Sequence, residues 1–157
     1  MDQPVVAKFI DGLASAFEEG DVGAAVKAAE AANVWRVQES YRAIARGDFA
    51  AFFESLAEDV EMEFVGPPQA PFAGRWRGRD ETARAVRENF SQLEEQRPEI
   101  QTVMAQGDLV VVVAQERGRF RATGRPYETH WVQIFTFRDG KVARFRQICD
   151  NSSMIDP

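Results

Sequence analysis

The hydrophobic pattern changes period near residue 58, from the spacing of a helix to the alternation of a strand. Upstream, apolar residues recur three and four apart: Phe9, Ile10, Leu13 and Phe17, then Val34, Val37, Tyr41 and Ile44. Downstream, Val60, Met62 and Phe64 alternate with Glu61 and Glu63, as a strand with one wetted face requires. A chain with helices first and strands last packs its helices on one face of a sheet, which predicts an α+β fold.

Punctuation divides the two halves further. Gly20-Asp21 and Gly47-Asp48 each offer a glycine to end a helix and an aspartate to cap the next. After the strand at 59–65, Pro67, Pro68, Pro71 and Gly74 break regular structure. A helix is predicted from Asp80, its expected cap, to about Glu95, with Ala83, Val86, Phe90 and Leu93 as the buried stripe and Pro98 closing it. From Ile100 onward four strand-like runs follow, separated at Gly107-Asp108, Thr123-Gly124-Arg125-Pro126 and Asp139-Gly140. The last of these is the strongest two-residue hairpin signal in the chain.

Composition narrows the chemistry. With 157 residues the default is a single domain that can bury a sizeable core. One cysteine and one histidine rule out a disulfide framework, a cysteine-rich zinc site and any two-imidazole ligand set, so no metal is expected. A net charge of −6 gives no electrostatic reason to expect nucleic acid. No run is apolar enough to span a membrane and no secretory leader is evident, which makes a cytoplasmic location the expectation. No glycine-rich phosphate loop is present, and no cofactor is implied.

Several strings together resemble the SnoaL-like branch of the NTF2-like superfamily, whose cone-shaped fold is shared with ketosteroid isomerase. They are Tyr41 through Gly47-Asp48-Phe49, Leu56-Ala57-Glu58-Asp59-Val60, Phe72-Ala73-Gly74 with Gly78, and Gln106-Gly107-Asp108-Leu109-Val110-Val111. Further along come Thr123-Gly124-Arg125, the run Trp131 to Val142, Phe145-Arg146 and Asp150. The resemblance covers about residues 35–152. It implies a curved antiparallel sheet of four to six strands wrapped around about three helices, enclosing a conical pocket for a small, mostly apolar molecule. Residues 1–33 then form an N-terminal helical extension and 34–157 the SnoaL-like domain. It also implies a homodimer through the outer face of the sheet, where Val132, Ile134 and His130 fall.

Alternation along the strand at 127–138 puts Tyr127, Thr129, Trp131, Gln133, Phe135 and Phe137 on one face, which the resemblance makes the concave one. The expected ligand-binding residues are Trp131, Gln133 and Phe135 there, Met62 and Phe64 on the first strand, Trp76 in the loop, Phe90 on the helix, and Phe145, Gln147 and Cys149 on the last strand. The same aromatic face also fits a solid core.

The isomerase machinery does not carry over. The base position of the first strand holds Phe64, the protonated-carboxyl position holds Gln133, and the tyrosine position falls at Ser40, with Tyr41 about 100° further round the helix. Polyketide cyclases of the SnoaL type keep an aspartate where Gln133 stands. The remaining catalytic candidates are Asp150 at the end of the last strand, His130 as the one side chain that ordinarily titrates near neutrality, and Tyr41. Glu116 and Glu128 read as cross-strand partners of arginines, and Arg117, Arg119 and Arg121 as a solvated face or an anion subsite. Two functions stay open: a small-molecule pocket protein, and an acid/base enzyme such as an isomerase, cyclase, dehydratase or hydrolase.

Overall fold

In the computed structural model, residues 21–67, 69–150 and 153–154 are described. Among these residues three helices and six strands follow one another: α1 (Asp21–Ala45), α2 (Phe49–Glu54), β1 (Leu56–Val65), β2 (Gly74–Arg77), α3 (Arg79–Ser91), β3 (Leu93–Gln106), β4 (Leu109–Phe120), β5 (Pro126–Arg138) and β6 (Lys141–Cys149). The strands form one sheet in the order β2-β1-β6-β5-β4-β3. Every neighbouring pair is antiparallel except β1 and β6, which run parallel. Register shifts between β1 and β6, between β3 and β4, and between β5 and β6 bend the strands and help the sheet curl over the helices.

Several local expectations are met in detail. Gly47 takes φ 73° after α1, and the Asp48 carboxylate accepts a hydrogen bond from Ala51 N at 3.1 Å to cap α2. Asp139 and Gly140 both have positive φ (51° and 74°), as a type I′ hairpin between β5 and β6 demands. The valine run of β4 alternates: Val110 and Val112 are fully buried, while Val111 and Val113 are half-buried on the outer face.

Other expectations are corrected. The helix at 80–95 ends at Ser91; Leu93 and Glu95 already belong to β3, and Pro98 lies inside that strand rather than closing a helix. A proline is tolerated there because β3 is an edge of the sheet, where one side of the strand has no ladder to supply. Asp80 is not the cap of α3. Gly78 occupies the cap position with φ 83° and no side-chain bond, while Asp80 and Glu81 sit in the first turn, where carboxylates complement the helix dipole. The helix α1 runs unbroken across residues 33 and 34, so the expected start of the domain falls within one continuous element. The first twenty residues of the expected extension lie outside the described residues. Among the described residues, no helix is long and apolar enough to cross a membrane.

The core sits between the concave face of the sheet and the helices. Val37 of α1, Phe53 of α2, Val86 of α3, Val60 and Met62 of β1, Val110 and Val112 of β4, and Trp131, Phe135 and Phe137 of β5 belong to one buried cluster. That cluster does not fill the cone.

Candidate functional site

A cavity of about 410 Å³ opens between α1, α3 and the concave sheet face. Strand alternation aims β5 into it through Trp131, Gln133 and Phe135, and β6 through Phe145, Gln147 and Cys149. Met62 and Phe64 of β1 and Phe90 of α3 complete nine of the ten expected lining positions. Trp76 is the exception. Its ring packs edge-on against Phe64 at 5.7 Å, so it backs the wall instead of forming it.

The aromatic wall is continuous. Tyr41, Phe135, Phe145 and Phe64 meet in successive edge contacts with ring centroids 4.9–6.2 Å apart. Across it runs a chain of polar groups. Tyr41 Oη donates to Gln133 Oε1 at 2.5 Å, Gln133 Nε2 donates to Gln147 Oε1 at 2.7 Å, and Gln147 Nε2 donates to Cys149 Sγ at 3.0 Å. Burial holds the Tyr41 phenol well above its ordinary range, so this hydroxyl is a proton-bearing donor. Burial also pushes the Cys149 thiol up to about 11; the Gln147 bond opposes this, while the charges of Glu116 and Asp150 add to it.

Of the remaining candidates, Phe64 at the isomerase base position offers only its ring, and Glu63 beside it faces outward among Arg75, Arg144 and Arg146. Ser40 is buried with its hydroxyl donating to Arg36 O at 3.0 Å. His130 and Asp150 are exposed, and neither lines the cavity. They are joined instead through backbone, Asp150 N donating to His130 O at 2.9 Å. The arginines of this strand and its turn are engaged within the chain: Arg117 pairs with Glu128, Arg119 donates to Gly124 O, and Arg121 donates to Ser91 O and Leu93 O.

Glu116 corrects the sequence reading. It is 6% exposed, lines the cavity and, among the described residues, has no arginine partner. Its Oε1 accepts from Tyr127 Oη at 2.6 Å and Gln96 Nε2 at 3.1 Å, and its Oε2 accepts from Trp131 Nε1 at 2.9 Å. The signal was one of parity. Glu116 shares the even positions of β4 with Val110, Val112 and Ala114, all fully buried, whereas the arginines expected to pair with it hold the odd ones. Glu128, by contrast, is exposed and does pair with Arg117.

A six-stranded sheet curled over three helices around an apolar hollow is the NTF2-like cone. Comparison with solved structures agrees: an NTF2-like protein from Burkholderia xenovorans LB400 is 30% identical with TM-score 0.69, over 80% of this chain and 94% of that one. An NTF2-like protein of unknown function from Burkholderia pseudomallei K96243 is 24% identical with TM-score 0.71, over 80% and 98%. An LEH-like epoxide hydrolase from M. tuberculosis is 20% identical with TM-score 0.64, over 80% and 87%, a likeness of fold alone. Comparison with curated proteins returns no match. The SnoaL-like domain family matches residues 37–145, and the chain belongs to that family.

Proposed function

We propose that the protein binds a small, mostly apolar molecule inside the cone. The observation that carries this reading is the unfilled 410 Å³ cavity itself, walled by aromatic and aliphatic side chains with a few polar groups converging on it. Those groups include the amides of Gln133 and Gln147 and the carboxylate of Glu116, polar handles in an otherwise apolar wall. The test is binding of an apolar fluorophore such as 1-aminoanthracene. Saturable binding by the wild type and its loss in Val86→Trp, which fills the hollow, is the expected result. Equal binding by both proteins places the dye elsewhere and defeats the reading.

Glu116 supports a second reading, an acid/base enzyme on a small apolar substrate, because a general base must be a titratable group aimed at the bound molecule. Conversion of an apolar epoxide or ketone by the wild type, abolished in Glu116→Gln, is its test. No conversion across such a panel leaves the binding reading alone.

We also propose a homodimer through the convex face, where Val111, Val113, Val132, Ile134 and Ile148 form an apolar patch and Ile148 is 40% exposed. Sedimentation at micromolar concentration should give twice the 17.6 kDa of one chain, and Ile134→Arg should halve it. We place this assembly in the cytoplasm.

A further inference from the structure

We infer that the cavity selects a guest carrying a protonated amine, with its ammonium seated on Glu116; this deepens the proposed binding function and rests on it. Glu116 is the one charged side chain among the described residues that line the hollow. Its three partners, Tyr127, Gln96 and Trp131, are all neutral donors. The basic residues nearest in sequence are engaged elsewhere, Arg117 with Glu128 and Arg119 with Gly124 O.

A carboxylate offers about four acceptor positions on its two oxygens. Three are used here, two on Oε1 and one on Oε2, so the open position lies on Oε2 beside the indole of Trp131. Taking a carboxylate out of water without a countercharge is costly, and hydrogen bonds from neutral groups repay only part of that cost. An ammonium would supply both the missing hydrogen bond and the missing charge. The walls suit the same guest. The rings of Trp131, Phe135, Phe145 and Tyr41 accept its apolar body and attract a cation at their faces. A ligand carboxylate or phosphate would meet the Glu116 charge with no cation to offset it.

The test is calorimetric titration of the wild type with three probes of one shape: 2-naphthylethylamine, 2-naphthylethanol and 2-naphthylacetate. The expected order is amine first, alcohol about tenfold weaker and carboxylate weakest, as an added charge-assisted hydrogen bond predicts. In Glu116→Gln the amine should fall to the level of the alcohol, while the alcohol changes by less than about threefold. An alcohol that binds as tightly as the amine overturns the amine inference and leaves the pocket reading standing. Failure of all three probes to bind overturns both. If Glu116→Gln does not fold, the wild-type comparison of amine with alcohol decides alone.

Discussion

Gly118 on β4 lies directly opposite Tyr127 on β5, and the tyrosine occupies the space that a side chain at 118 would need. A Cβ there would stand 2.5 Å from Tyr127 Cζ and 2.5 Å from the Glu95 backbone oxygen. The missing side chain is what lets the Tyr127 hydroxyl reach back to Glu116 Oε1 at 2.6 Å. Gly118→Ala should therefore cost about 1–3 kcal/mol, an ordinary overpacking penalty. At this chain length that is a Tm lower by roughly 2–12 °C. Introduced into Tyr127→Ala, the same change should cost less, though not nothing, because Glu95 remains in the way. An identical cost in both backgrounds would show that the ring is not the obstacle.

Both tyrosines of the chain are held as phenols. Burial raises Tyr41, and burial with the adjoining Glu116 carboxylate raises Tyr127. In the unfolded chain each would lose its proton near pH ~10. The folded state binds these protons more tightly, so the stability they confer is fully present below pH ~10 and drains away above it, by up to about 1.4 kcal/mol per tyrosine per pH unit. Phenolate absorbance near 295 nm should stay flat through that pH in the folded protein and rise only with unfolding, whereas the protein in denaturant should titrate near ~10. A smooth rise in folded protein would contradict the burial of both rings.

Some of this arrangement is legible in the residues and some is not. Asp139-Gly140 could be read because a two-residue type I′ turn needs left-handed backbone at both positions, a demand few dipeptides meet. The inward set of β5 was legible because a period of two has only two phases. The end of α3 was not, since Leu93 fits the apolar stripe of a helix as well as the start of a strand, and only the sheet order makes Pro98 acceptable in β3. The parallel contact of β1 with β6 joins segments some eighty residues apart and leaves no local trace. The chemistry of Glu116, a glutamate among arginines, points to the wet face, while its parity places it with the buried valines.

Tyr41 links α1 to the sheet, and Tyr41→Phe isolates that link. The substitution keeps the ring that meets Phe135 edge-on at 6.2 Å and removes only the hydroxyl that Gln133 accepts. A lost hydrogen bond that strands a buried acceptor costs about 1–3 kcal/mol. Thermal unfolding should show the drop, and Tyr41→Phe should cost less in a Gln133→Leu background, where the acceptor is already gone. An equal cost in both backgrounds would show that the hydroxyl gains nothing from Gln133.

Cys149 offers a chemical readout of the same hollow. Only the thiolate attacks a disulfide reagent, and a thiol pushed up to about 11 is almost entirely protonated at ordinary pH. Relative to an unfolded thiol at ~8.5, the thiolate fraction at pH ~8 is smaller by about two-hundredfold. Reaction with Ellman's reagent at that pH should be slower in the folded protein by about tenfold or more: the greater nucleophilicity of a more basic thiolate offsets part of that factor, and facing the cavity rather than bulk water adds to it. The linkage has the same sign as for the tyrosines: the contribution of the protonated thiol to stability is intact below pH ~8.5 and is lost as the pH climbs toward 11. An occupant of the hollow should slow the reaction further, and Val86→Trp should do so without any ligand. Rapid labelling of the folded wild type would place Cys149 outside the hollow and remove one end of the polar chain that begins at Tyr41.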